Sequence, residues 1–192
     1  MNGEVIETDR LIIRAFVPDD LPVIHRILNQ TFAVDGQAVA LEERRSWLQW
    51  SMLNQEWFPK LYQPPYGDRA ISLKSTGEVI GAVGYVPLLD VYEQIPQLCD
   101  SSAPGSYTTA EVGLFWVIDP AQQQQGYATE AAQAMIDYAF KQMRLKRIIA
   151  ATEYENIASQ GVMKKVGMTI TRNPLPDPPW LQVVGVLENG DH

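Results

Sequence analysis

The stretch that decides the fold is Glu111-Val-Gly-Leu-Phe-Trp-Val-Ile-Asp-Pro120, continued by Ala121-Gln-Gln-Gln-Gln-Gly-Tyr-Ala-Thr-Glu130. As far as Ile118, both alternating faces are apolar, which predicts a strand buried in the middle of a sheet. Asp119-Pro120 ends that strand. From Gly126 onward the apolar residues recur at helical spacing, which predicts a helix. They are Ala128, Ala131, Ala132, Met135, Ile136, Ala139, Phe140 and Met143.

The loop between this strand and helix has the properties of a phosphate site. Its free backbone N–H groups and the positive end of the helix dipole point to one place. Gly126 lets an anion approach the backbone, and Ala128 leaves the first turn unobstructed. The chain has neither a Gly-Lys-Ser/Thr triphosphate loop nor a dinucleotide fingerprint of three spaced glycines here. On spacing alone, an ordinary junction with a turn glycine explains the pattern equally well.

The segment Gln123–Ala128 resembles the Gln/Arg-x-x-Gly-x-Gly/Ala signature of the GNAT superfamily of acetyl-CoA-dependent N-acetyltransferases. Its continuation to Ala131 is similar to the branch that acetylates ribosomal-protein N-termini. The resemblance implies that loop amides hold the CoA pyrophosphate and that the preceding strand edge pairs with the pantetheine arm. The implied cofactor-binding residues are Phe115, Val117, Ile118, Gln123, Gln124, Gln125, Gly126, Tyr127, Ala128, Thr129, Asn156 and Ser159. One departure is Gln124, because many members of this branch carry Gly there.

Two further segments resemble the same family. Thr8–Arg14 followed by Pro18-Asp19-Asp20 is similar to its N-terminal strand and helix, with Asp19 or Asp20 as a cap and Pro22 in the first turn. Asn156-x-x-Ser159, ending in Lys165-Val166-Gly167-Met168, resembles its third motif. Asn156 is equally well explained as a helix N-cap, and the two roles can coexist.

The remaining pattern completes the predicted fold. Strands are predicted at 10–14, 69–73, 79–88, 147–152, 168–172 and 180–187, with a hairpin turn at 74–78 and a long loop from Asp90 to Thr108. Helices are predicted to about Gln30, over 41–57 and up to Gly167. We therefore expect an α/β (α+β) GNAT-like domain with a mixed central sheet of about six to seven strands flanked by helices. The helix over 41–57 carries Trp47, Trp50 and Trp57, for which core positions are favoured about two to one over ligand contact.

The length, the net charge and the counts of cysteine and histidine exclude several classes of ligand and site. The chain has 192 residues, of which 46% are hydrophobic. This length and composition predict a single domain that spans residues 1–192. A net charge of -8 argues against nucleic acid and favours a cationic ligand. One cysteine and two histidines predict no disulfide and no metal site. The N-terminus does not resemble a signal peptide and no apolar run is long enough for a membrane helix, so we expect a cytoplasmic protein without a membrane partner.

We therefore predict an enzyme that moves an acetyl group from acetyl-CoA to a primary amine, a peptide N-terminus or a small cationic amine, by direct attack in a ternary complex. The resemblance implies Glu111 as the base and Ser159 as the acid that protonates the thiolate, with Tyr154 in reserve. A solvated strand-end position would explain Glu111 equally well. A catalytically silent acyl-CoA-binding regulator and a structural dimer subunit are the alternatives, and a homodimer is left open.

Overall fold

A computed structural model describes residues 5–32, 38–99 and 107–190. Within them the strands are β1 (Ile6–Glu7), β2 (Leu11–Arg14), β3 (Gly67–Leu73), β4 (Val79–Asp90), β5 (Thr109–Ile118), β6 (Arg147–Thr152), β7 (Thr169–Arg172) and β8 (Val183–Glu188). The α-helices are α1 (Leu21–Phe32), α2 (Leu41–Trp57), α3 (Tyr127–Lys141) and α4 (Ile157–Lys165). Short 3₁₀ turns occupy Pro18–Asp20, Pro59–Leu61, Tyr92–Gln94 and Pro120–Gln122.

The strands of the described residues form an eight-stranded sheet in the order β1-β2-β3-β4-β5-β6-β8-β7. β5 and β6 run parallel, with Gly113 opposite Ile149, which confirms the predicted crossover through α3. β3 and β4 form the predicted antiparallel hairpin. The sheet has eight strands, one more than the upper end of the expected six to seven. The additional strand, β1, has two residues and is too short to show a periodicity in the sequence.

The described residues fall into two compact units. The first contains the described residues as far as Tyr85 together with Phe115–Met135. One of its cores packs residues of α1 and α2, such as Ile24, Ile27 and Leu48, with strand residues such as Ala82 and Val117. Ala131, Ala132 and Met135 of α3 are also fully buried in this unit, and Tyr85 donates a hydrogen bond from its hydroxyl to the Met135 carbonyl at 2.6 Å. The helical periodicity over α3 is thereby confirmed.

The second unit comprises Val86–Leu114 and the described residues from Ile136 onward. Tyr92, Ile95 and Leu98 lie in the segment that follows β4, and they pack with Ile149 of β6 and with residues of and just before β8. The first part of the predicted long loop is thus part of a core. Residues 100–106 of that loop lie outside the described residues.

Most predicted element boundaries hold within a few residues. α2 has the predicted bounds, and β6 does as well. β8 begins at Val183 rather than near Trp180, because the N–H groups of Leu181 and Gln182 donate to the carbonyls of Pro178 and Trp180 in the preceding turn. Val17, rather than Asp19 or Asp20, is the N-cap of the 3₁₀ turn that leads into α1, so the expected cap was wrong. Asp20 lies at the third position of that turn and accepts the backbone N–H of Val17 at 2.9 Å.

Candidate active site

Asp119 anchors the start of the candidate cofactor loop. Its Oδ1 accepts the N–H of Ala121 at 3.0 Å, and its backbone N–H donates to the carbonyl of Ile80 at 2.8 Å. Arg26 of α1 donates to Oδ2 at 2.6 Å. The hydrogen bond from Arg26 lowers the pKa of Asp119, and although burial acts in the opposite direction, the Ala121 N–H lowers it further. The carboxylate therefore fixes the point at which the chain leaves β5.

The loop backbone contains two left-handed residues. Gln124 has φ of 62° and Gly126 has φ of 84°. Turns with left-handed residues can group successive N–H groups into an anion-binding concavity. Gln123, Gln124, Gln125 and Gly126 are all exposed, and α3 begins directly after them. The loop therefore fits a bound pyrophosphate. Gln124 stands in a conformation that glycine adopts more easily, which accounts for the glycine common at that point of the family signature.

Glu130 anchors the end of the loop, in the first turn of α3. Its Oε1 accepts the Thr8 hydroxyl at 2.5 Å and the Arg10 N–H at 2.9 Å. Its Oε2 accepts Nε of Arg10 at 2.7 Å. Burial acts to raise the pKa of Glu130, but the hydrogen bonds from Thr8 and Arg10 outweigh it, so the pKa is lowered. Nothing in the sequence indicated that Glu130 contacts Thr8 and Arg10, which lie 122 and 120 residues before it.

The candidate cofactor residues of β5 have different environments. Val117 and Ile118 are 3% and 5% exposed, so their side chains belong to the core and the strand backbone is the part able to pair with pantetheine. A Cβ on Gly81 would lie 2.1 Å from the Val117 carbonyl oxygen, so glycine is required where β4 approaches β5. Phe115 is half-buried against Phe32, with ring centroids 6.0 Å apart. Tyr127, Ala128 and Thr129 are half-buried in the first turn of α3.

In the second unit, Glu111 is not a solvated strand-end carboxylate. Its side chain is 5% exposed and forms a two-point ion pair with Arg147 of β6. Nε of Arg147 donates to Oε2 at 2.8 Å, and Nη2 donates to Oε1. Each carboxylate oxygen can accept a further hydrogen bond. Glu111 is therefore held in one orientation by Arg147.

The candidates around α4 lie close together in the chain. Asn156 caps α4, because its Oδ1 accepts the N–H of Ser159 at 3.0 Å. Ser159 is half-buried in the first turn. Tyr154 is 37% exposed, and its hydroxyl lies 3.5 Å from the Asn173 carbonyl, which is long for a hydrogen bond. Arg172 stacks over the Tyr154 ring at 5.4 Å. The N-cap role of Asn156 is confirmed.

Asp68, at the start of β3, is a titratable group that sequence reasoning missed. Burial raises its pKa to about 6 from the usual 3.8. Its Oδ1 is inaccessible and has no hydrogen-bond partner among the described residues. The same holds for Nδ2 of Asn54 and Nε2 of Gln55 on α2, which lie 3.6 and 3.7 Å from where a Cβ on Gly67 would stand. Buried polar groups are usually bonded, so these atoms can receive a polar ligand or ordered water.

The three tryptophans of α2 separate into two classes. Trp47 packs against the core of the first unit and edge-on to Phe16, with ring centroids 5.6 Å apart. Trp50 and Trp57 are 54% and 49% exposed, so the core position favoured for them was wrong. The reason is that α2 carries apolar residues around its whole circumference and can bury only one face. Leu53 lies between the two exposed rings in sequence and is 52% exposed.

No group of three or more His, Cys, Asp or Glu side chains able to hold a metal ion occurs among residues 5–32, 38–99 and 107–190. In the same residues, no helix combines the length and the apolar character needed to cross a bilayer.

The exposed loop between β5 and α3 is anchored at both ends and lies at a helix N-terminus, which suits a phosphate-bearing ligand. Residues 10–169 match the family model described as "Acetyltransferase (GNAT) domain". The chain belongs to the GNAT acetyltransferase family and is an acetyltransferase, with a fold that binds acetyl-CoA. The resemblance seen in the sequence is confirmed at this level.

Relatives among known proteins include two uncharacterized N-acetyltransferases of one bacterium. The chain is 57% identical over 60 residues to the uncharacterized N-acetyltransferase YnaD of Bacillus subtilis, a match that spans 31% of this chain and 34% of that protein. It is 27% identical over 164 residues to the uncharacterized N-acetyltransferase YoaA of the same organism, spanning 85% of this chain and 81% of YoaA.

Solved structures share the fold at lower identity. A GNAT-family acetyltransferase from Bacillus anthracis superposes with a TM-score of 0.67 at 22% identity, covering 97% of this chain and 99% of that one. RimL, a ribosomal L7/L12 α-N-protein acetyltransferase in complex with coenzyme A, superposes with a TM-score of 0.63 at 16% identity, covering 95% and 96%.

Proposed function

We propose that this chain transfers the acetyl group of acetyl-CoA directly to a primary amine, and that residues 1–192 act as one acetyltransferase domain. The observation that carries the proposal is the exposed loop from Gln123 to Gly126, which is anchored at both ends and runs into α3. Its backbone N–H groups and the helix dipole supply positive potential where the run 119–130 has no Lys or Arg.

The chemistry requires two proton transfers. A neutral amine nitrogen forms a bond to the thioester carbonyl carbon, the C–S bond breaks, and the sulfur leaves as a thiolate. We propose that Glu111, held by Arg147, accepts the proton that the amine nitrogen loses as the C–N bond forms, directly or through water. Ser159 is the proposed general acid that donates a proton to the departing sulfur, and Tyr154 is the alternative candidate for that role. An α-amine, with a pKa near 7.7 to 8.0, demands less of the base than a lysine near 10.4.

We infer that the acceptor is cationic in solution and carries its amine on a peptide N-terminus or a small molecule. The net charge of -8 attracts such a molecule. The continuation of the loop signature to Ala131 and the structural likeness to RimL, a ribosomal L7/L12 α-N-protein acetyltransferase, favour a peptide N-terminus among these acceptors.

The test of the base separates its chemical role from its structural one. Glu111→Gln is expected to lower the acetyl-transfer rate by ~100-fold while leaving the Kd for acetyl-CoA nearly unchanged. It also removes the partly buried ion pair between Glu111 and Arg147, so a loss of stability accompanies it. The double variant Glu111→Gln with Arg147→Gln removes both charges. It should recover stability without recovering the rate.

A rate in the double variant that returns with stability would mean that Glu111 acts only through folding. The second candidate is a catalytically silent acyl-CoA-binding regulator, and the engagement of Glu111 by Arg147 favours it. A panel of amines, including peptides with different first residues, decides between the two. Amine-dependent release of free thiol from acetyl-CoA by the wild-type protein supports the enzyme, and CoA binding without thiol release supports the regulator.

A further inference from the structure

Arg10, in the turn between β1 and β2, contacts three successive parts of the cofactor loop and α3. Its Nη1 donates to the carbonyl of Gln125 at 3.0 Å. Its Nε and Nη2 each lie 2.7 Å from Oε2 of Glu130. Its guanidinium stacks over the ring of Tyr127, with Cζ 4.5 Å from the centroid. Its backbone N–H binds the other oxygen of Glu130.

The bond to the Gln125 carbonyl fixes the direction of a neighbouring N–H group. In a planar trans peptide the C=O and the following N–H point in opposite directions. With the Gln125 oxygen turned toward Arg10, the N–H of Gly126 is turned away from it. Gly126 has φ of 84° and is exposed, so without this bond the peptide plane could rotate at little cost. Arg10 therefore sets which way a central N–H group of the loop points.

Arg10 also offsets a charge that would oppose an anion. The segment from Asp119 to Glu130 contains two carboxylates and no Lys or Arg. Each carboxylate is paired with an arginine from elsewhere in the chain, Asp119 with Arg26 and Glu130 with Arg10. A carboxylate in the first turn stabilises a helix N-terminus, but it also competes with a ligand phosphate for the same dipole. The arginine removes that competition.

We propose that Arg10 is a positioning residue for cofactor binding, acting through the Gln125 carbonyl, the Tyr127 ring and Glu130 to hold the loop in its phosphate-binding form. This inference rests on the proposed function of the loop. It adds a residue outside the loop signature, brought to the loop by the tertiary fold. Because the forked guanidinium makes several of these contacts at once, lysine cannot replace it.

The experiment measures the Kd for CoA by calorimetry in Arg10→Ala, Arg10→Lys and the control Arg45→Ala. Arg45 is 49% exposed against 47% for Arg10, pairs with Glu42 on the surface of α2, and its loss changes the net charge equally. Arg10→Ala should raise the Kd at least tenfold, and Arg10→Lys at least threefold. Arg45→Ala should leave it within twofold. Pantetheine, which lacks the phosphates, should bind the wild type and the Arg10 variants equally.

A second readout reports the loop itself. The NMR order parameter of the Gly126 amide in the apo protein should be lower in both Arg10 variants and unchanged in Arg45→Ala. Where Arg10→Ala lowers Tm below the assay temperature, Arg10→Lys carries the test, because it keeps the charge and most of the side-chain stem.

The outcomes separate the two proposals. Wild-type protein that does not bind CoA overturns the proposed function of the loop. Wild-type protein that binds CoA while both Arg10 variants bind it equally well overturns the role of Arg10 alone. The role of Arg10 is also overturned if Arg10→Lys binds CoA as tightly as the wild type, or if Arg45→Ala loses as much affinity as Arg10→Ala. Either result would show that positive charge, rather than the fixed geometry of the guanidinium, determines CoA affinity.

Discussion

Replacing Asp68 with Asn should stabilise the protein above pH 6 and have little effect at pH 4. Burial raises the pKa of Asp68 from 3.8 to about 6, so between these values the folded protein binds more protons than the unfolded chain. The free energy of unfolding therefore falls as pH rises through that window, and the full penalty is present above pH 6. The difference of about 2.2 between the two pKa values corresponds to about 3 kcal/mol. Because Asp68 is half-buried, access of water reduces this, and we expect about 1–3 kcal/mol.

Urea unfolding followed by circular dichroism at pH 4 and pH 8 measures this effect. The free energy of unfolding of Asp68→Asn should exceed that of the wild type by about 1–3 kcal/mol at pH 8 and by less than about 0.6 kcal/mol at pH 4. Asp19→Asn, at an exposed position before α1, is the control and should show no such pH-dependent gain. A difference between Asp68→Asn and wild type that stays constant from pH 4 to pH 8 would show that the folded carboxyl titrates normally. A loss of activity beside the gain in stability would show that the Asp68 carboxyl has a functional role, since functional groups are often retained at a cost in stability.

The remaining predictions concern the loop, α2 and the charge of the protein. Gln124→Gly should remove the strain of a left-handed φ at a non-glycine residue, which costs about 1–2 kcal/mol. The greater entropy that glycine gives the unfolded chain should offset this gain by about 0.5–1 kcal/mol. Thermal unfolding should therefore show a Tm at or above the wild-type value, whereas Gln125→Gly should lower it; an equal loss in both contradicts the strain. Trp47→Ala should cost about 2–4 kcal/mol in chemical unfolding, and Trp57→Ala less than about 1 kcal/mol, because Trp47 packs into the core and half of Trp57 is exposed. Finally, kcat/KM for a cationic acceptor should fall as salt rises from ~50 to ~300 mM, while that for acetyl-CoA should rise or stay constant. A flat response for every active amine would mean that the acidic composition does not steer the acceptor.

The local elements could be predicted from the sequence because their signals are periodic or lie at fixed offsets. The apolar run from Val112 to Ile118 and the helical spacing after Gly126 each reflect one backbone geometry, so β5, α3 and the loop between them follow from neighbouring residues. Asn156 as an N-cap is similarly a relation over three residues. The family signature could be recognised because it lies within such a local segment.

The environment of the candidate site was decided by contacts between residues far apart in the chain. Arg10 meets Glu130 across 120 residues, and Arg26 meets Asp119 across 93. Glu111 and Arg147 are 36 residues apart, and their pairing depends on β5 and β6 lying side by side. A charged residue carries no sequence signal for its partner, because any opposite charge on an adjacent element would serve.

The sequence by itself therefore determined the order of strand, loop and helix, the family signature and the residues available for chemistry. Only the tertiary structure decided that Glu111 is paired, that Asp68 is desolvated, and that Trp50 and Trp57 remain exposed. Periodicity states which residues share a face of an element, but burial and charge pairing depend on which other element covers that face. Those properties arise from packing across the whole chain, and for that reason Arg10 could be connected to the cofactor loop only in three dimensions.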